Sequence, residues 1–239
     1  MSKTGLASNA MRVRLLTFAS AADAVGRERT EIELPETVTD VAALKAHLEG
    51  LHPRLGPLWH RLAVAVDGEI ADGETPLRDG CEVALLPPVS GGALATEQRS
   101  ASRRLREEPL DVGALQRRVE RRGFGAALLF VGNVRDRSED RPVASIHYSA
   151  YRSMADRRLA RICDELQERH GARVEIEHRL GEVPAGEASV VIAAASPHRE
   201  ACYAASREAL ERLKAEVPIW KRERFADGEE VWREVESLR

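Results

Sequence analysis

Residues 93–109 read ALATEQRSASRRLREEP, a stretch in which two leucines are the only large apolar side chains. Such a stretch cannot bury enough surface to order itself, so it reads as an exposed linker. A chain of 239 residues broken there must build two cores rather than one. The break follows PPVSGG at residues 87–92, which sets the expected boundaries: a first unit over 11–92, the linker over 93–109 and a second unit over 110–239. Residues 1–92 carry nine basic against thirteen acidic side chains, and the remainder twenty-seven against twenty-six. The halves are therefore mildly complementary in charge.

Composition excludes several classes. The hydrophobic fraction is 43% and the charged fraction 31%, ordinary for a soluble globular protein. A net charge of -3 gives no positive field of the kind that binds nucleic acid. No apolar run approaches the roughly 20 residues that span a bilayer, so no membrane association is expected. Residues 1–10 lack the charged-then-apolar pattern of a secretory signal. Cys81, Cys163 and Cys202 are odd in number and far apart, which fits a reducing cytoplasm and neither a disulfide scaffold nor a Cys-rich zinc site. There is no P-loop, no dinucleotide fingerprint and no G-x-S-x-G.

The first unit predicts strands over 11–18, 30–34, 62–66 and 82–86, with a turn at Asp67-Gly68. One helix lies between the second and third, capped by Thr39, with Val41, Leu44 and Leu48 on one face and Gly50 as its stop. The second unit alternates strands and helices. Asp111 caps a helix through Val119, and strands are expected at 125–131, 143–151, 174–178 and 188–195. A helix runs from Met154 to His170, and another starts at Ser196-Pro197 and is stopped by Pro218. Two short strands, 219–225 and 230–235, close the chain. Both units read as α+β.

Lysine is rare here. The chain has 36 basic residues, of which only Lys3, Lys45, Lys214 and Lys221 are lysines. Arginine stays protonated in proteins, whereas lysine can release its proton and act as acid, base or nucleophile. Two of the four stand seven residues apart, flanking Pro218, where amine chemistry is a natural reading.

The order FVGNVR (130–135), Tyr151 with Met154-Ala155, HRLG (178–181), Gly186-Glu187, His198-Arg199 and LKAEVPIWKRE (213–223) closely resembles the large, catalytic subunit of molybdopterin synthase. The first unit, ending in Gly91-Gly92, is similar to the small subunit of that enzyme, a ubiquitin-like sulfur carrier. The resemblance covers the chain except its first residues and the linker, and implies a small subunit fused ahead of its large subunit. The implied fold is a β-grasp (ubiquitin-like) domain followed by a larger α/β-hammerhead-type α+β domain.

The resemblance implies sulfur transfer. A thiocarboxylate on the terminal glycine of the carrier, here Gly92 after Gly91, delivers sulfur to cyclic pyranopterin monophosphate to make the dithiolene of molybdopterin. An adenylating and sulfurating enzyme loads the tail, and neither a cofactor nor a metal is required. Matched to the motif, Lys214 and Lys221 are the catalytic residues: Lys214 for proton transfer or transient contact with the tail carbonyl, Lys221 to hold substrate and lower the pKa of its neighbour. Arg135, His198 and Arg199 are the substrate-binding residues, since guanidinium groups and a helix start both suit a phosphate. For His178 a packed strand histidine and a site role stand equal. Phe130 and Met154 read as packing, and His147 and Ser149 depart from the acidic residues usual in the family.

Spacing has two consequences. Arg199 and Lys214 lie fifteen residues apart on one predicted helix, about 22 Å along its axis at 1.5 Å per residue. One small pterin cannot touch both from a single copy, so a homodimer through the second unit is expected, with His198 and Arg199 supplied in trans. Also, Gly92 is followed by Ala93, so its carboxyl group is an amide until the chain is cut. The alternatives are cleavage after Gly92, or an uncleaved and inactive fusion serving as a binding or regulatory module. A protein modifier conjugated to lysines of other proteins is a third reading, which the lysine pair argues against.

Overall fold

The computed structural model describes residues 10–88 and 104–233. It divides into two compact units, one ending at Pro88. Gly91, Gly92 and residues 93–103 lie outside the described residues. Among the described residues, no helix is long and apolar enough to cross a membrane.

The first unit comprises β1 (Met11–Thr17), α1 (Ala19–Val25), β2 (Arg29–Leu34), α2 (Val41–Leu51), a 3-10 turn (Pro53–Leu58), β3 (Ala63–Val66), β4 (Glu69–Ala71) and β5 (Glu82–Leu86). The strand order is β2-β1-β5-β3-β4, with β1 and β5 parallel at the centre and the other pairs antiparallel. A parallel central pair demands a crossover, and α2 lies on it, burying Val41, Leu44 and Leu48 with Val13, Leu15, Val83 and Leu85. This is the ubiquitin-like arrangement. Two details differ from expectation. The cap of α2 is Asp40, which accepts from the Ala43 N–H at 2.8 Å, and the helix continues through Gly50 to Leu51. The short α1 has no periodicity to betray it, being mostly alanine, and Gly26 ends it in the left-handed conformation with its N–H on the Ala22 carbonyl.

The second unit comprises β6 (Leu105–Arg106), α3 (Val112–Val119), β7 (Ala126–Asn133), β8 (Arg137–Ser138), β9 (Arg141–Ala150), α4 (Arg152–His170), β10 (Arg173–Arg179), β11 (Gly181–Pro184), β12 (Ala188–Ser196), α5 (Arg199–Glu216), β13 (Ile219–Phe225) and β14 (Glu230–Arg233). One sheet has the order β6-β10-β12-β7. Helices α4 and α5 cover one face through Leu159, Ile162, Leu166, Ala205 and Ala209, and α3 covers the other through Leu115 and Val119. Covering both faces explains why β12 is apolar in nearly every position. The second sheet has the order β11-β9-β13-β14, with β8 folded onto β9, around Val134, Val143, Ile146, Val183 and Phe225.

The linker stops short of residue 109. The N–H groups of His178 and Leu180 donate to the carbonyls of Arg104 and Arg106 at 2.8 and 2.7 Å, making β6 the parallel edge strand beside β10. Leu105 is buried in the core, and Arg104 approaches Glu175 at 3.9 Å. Helix α5 also starts later than expected. Ser196 belongs to β12, and His198 is the cap, ahead of Arg199 at the first helical position.

Candidate active site

A cavity of about 350 Å3 opens where the two sheets of the second unit meet. Its walls come from six strands and one helix end. Strand β13 supplies Ile219, Lys221 and Glu223, alternate residues on one face. Their neighbours in register on β9 are Tyr148, opposite Lys221, and Ile146, opposite Glu223. The last turns of α5 add Leu210, Leu213 and Lys214. Pro218 separates α5 from β13 and allows one lysine on each to face the same space. Arg135 enters from the segment after β7, and Arg137 and Ser138 from β8. Phe130, Gly132, His178, Ser189 and Val190 also line it.

The lining mixes charged and neutral groups. Four of its residues are cations: Lys214, Lys221, Arg135 and Arg137. Burial holds the Lys221 amine below the usual lysine range, Lys214 and Arg135 add like-charge repulsion, and Glu223 opposes them. The expected depression of an amine pKa thus falls on Lys221, chiefly through desolvation. Neutral groups line it as well. The His178 ring is 2.8 Å from the Arg179 carbonyl through Nδ1, and a carbonyl only accepts, so Nδ1 carries the proton and Nε2 is the acceptor. Burial pushes the His178 pKa down to about 4, so the ring is uncharged at neutral pH. Tyr148 meets it edge-on at 4.9 Å, with its own pKa raised by burial. Ser189 Oγ donates to the Gly132 carbonyl at 3.1 Å.

Of the residues expected from sequence, Lys214, Lys221 and Arg135 come together here. His198 and Arg199 do not: they lie exposed at the opposite end of α5, where Arg199 pairs loosely with Glu200 at 3.6 Å. Gly91 and Gly92 lie outside the described residues. Phe130 lines the cavity while packing on the core, and Met154 is buried away from it. Tyr148, Ser189, Arg137 and Ser138 were not singled out by sequence, and Glu223 stood only as the end of the lysine-bearing motif, with no role. For Glu223 the signal was its alternation with Lys221 in the strand after Pro218.

The MoaE protein family model matches residues 105–216, and the ThiS family model matches residues 15–92. The molybdopterin synthase catalytic subunit of Pyricularia oryzae is 45% identical over 54% of this chain and 71% of its own length. The chain belongs to the molybdopterin synthase catalytic subunit family. The catalytic subunit of Bacillus subtilis is 43% identical over 51% of this chain and 78% of its own. A crystal structure of molybdopterin synthase from Staphylococcus aureus superposes with a TM-score of 0.52 at 35% identity, covering 54% of this chain and 95% of that one. The protein is therefore a ThiS-type sulfur-carrier domain fused ahead of a molybdopterin synthase catalytic domain, and it is an enzyme of molybdenum cofactor biosynthesis.

Proposed function

We propose that the chain is a sulfurtransferase that moves sulfur, one atom from each Gly92 thiocarboxylate, to cyclic pyranopterin monophosphate, two such transfers forming the dithiolene of molybdopterin. The observation that carries this reading is the convergence of Lys214, Lys221 and Arg135 on one cavity. Arg135 suits the phosphate of the substrate, and the two amines suit proton transfer as the sulfur bonds to the substrate and water cleaves the glycine carbonyl–sulfur bond, returning the carrier to a carboxylate. Lys221 is the amine that burial disposes to lose its proton. His198 and Arg199 complete the site from a second copy across a two-fold axis. The boundaries 11–92, 93–104 and 105–239 describe the functional parts, with cleavage after Gly92 by a protease of the host, loading of the tail by an adenylating enzyme, and the reaction in the cytoplasm.

Intact-mass measurement on native material tests the carrier half. A fragment ending at Gly92, heavier by one sulfur-for-oxygen exchange, is expected. Wholly full-length protein that makes product overturns cleavage, and full-length protein that makes none supports the inactive binding module instead. For the catalytic half, Lys214→Ala and Lys221→Ala are each expected to lower product formation by about 100-fold or more. Undiminished product from Lys214→Ala rejects its role.

A further inference from the structure

Arg233, on β14, stands directly opposite Lys221 in the β13–β14 register. Its Nε donates to Glu223 Oε2 at 2.8 Å, its Nη1 to Glu139 Oε1 at 2.8 Å and its Nη2 to Ser138 Oγ at 3.4 Å. Glu223 is buried, with its side chain 6% exposed, and shares the cavity face with Lys221 two residues away on the same strand. Glu139 lies in the turn between β8 and β9, where Glu139 and Asp140 both have positive φ, 50° and 62°, without a glycine. Such a turn is strained and needs outside support. One guanidinium thus joins the cavity carboxylate to the hairpin at its rim.

We propose that Arg233 is a positioning residue: by occupying the Glu223 carboxylate it keeps that group from pairing with Lys221, and through Glu139 and Ser138 it fixes the hairpin of residues 137–141 at the cavity mouth. The proposal rests on the reading of Lys221 as a working amine. The charged groups facing Lys221 are Glu223 on its own strand, Arg233 on β14, Lys214 from α5 and Arg135 from the segment after β7. Tyr148 stands opposite on β9, with the neutral His178 behind it. Among the charges, Glu223 is the one that favours protonated Lys221. Removing Arg233 leaves a buried carboxylate in need of a cation, and Lys221 is the nearest along its strand face.

The test is competitive acylation of the full chain with acetic anhydride over a range of pH, read at Lys221 by peptide mass spectrometry against a free-lysine standard. For Arg233→Met, the midpoint of Lys221 reactivity is expected to move to higher pH by about one unit, a tenfold fall in reactive amine at neutral pH. In the Arg233→Met/Glu223→Gln double variant it is expected to return. Arg233→Lys, which cannot reach Glu223 and Glu139 together, is expected to shift it part of the way, and serves if the methionine variant does not fold. An unmoved midpoint in either single variant, or a shift that persists in the double variant, overturns the proposal. The pH profile of product formation is recorded in parallel. If Lys221 titration moves and that profile does not, Arg233 retains its role and the reading of Lys221 as the acid–base group fails.

Discussion

His178 is buried as an uncharged ring with its Nδ1–H committed to the Arg179 carbonyl. It can accept a hydrogen bond from a substrate N–H or O–H, and it offers no charge to a phosphate. An anion is therefore drawn to the lysines and arginines of the lining and not to this ring. Burial also links the residue to stability. The unfolded chain takes up the proton near pH 6.5 and the folded one only near 4, so the unfolded state binds more protons between these values. Stability present above pH 6.5 is expected to fall as the pH drops towards 4, by roughly 3 kcal/mol for a shift of this size. Urea melts of wild type and His178→Phe across that window check this, since the variant should lack that part of the loss. The tautomer was not legible in sequence, because the carbonyl that sets it belongs to a strand end whose direction depends on the whole sheet.

At the level of elements, much was legible. The strands and long helices of both units follow from alternation, helical spacing and the glycine and proline stops, and Pro218 marks the α5–β13 junction that brings two lysines to one cavity. What escaped has physical causes. Helix α1 is too short and alanine-rich to show a face, and β6 is two residues long and exists only because β10 offers it an edge. The cap of α5 passed from Ser196 to His198 because Ser196 continues the pairing of β12 with β7, opposite Ala126. The neutral groups of the lining, Tyr148, His178 and Ser189, come from three separate strands, so no local spacing announces them. Strand pairing also makes a demand at Gly132, which lines the cavity next to the irregularity between Ala188 and Val190. A Cβ there would lie 2.6 Å from Val190 Cγ1, and valine has little rotamer freedom with which to yield. Gly132→Ala is expected to cost about 1–3 kcal/mol in denaturant unfolding, and Val190→Ala in the same chain to return part of it.

For the whole molecule, the length of α5 is decisive. Its first residue, Arg199, and the cavity lysine near its end, Lys214, are separated by most of an 18-residue helix, and only the latter reaches the cavity of its own copy. In the two-fold assembly proposed, a copy bearing Arg199→Ala paired with one bearing Lys214→Ala contains one intact site and one doubly damaged site. Random reassembly of equal amounts should then give about a quarter of wild-type product formation from two variants that are each nearly inactive. No recovery on mixing would place His198 and Arg199 outside the reaction. The edge strand β6 sets where the catalytic unit can be made to begin. The carbonyls of Arg104 and Arg106 accept from the His178 and Leu180 N–H groups, and Leu105 between them is buried. A truncation that removes residues 104–106 strips the edge beside His178, so a unit begun at Glu107 should unfold at lower denaturant than one begun at Arg104.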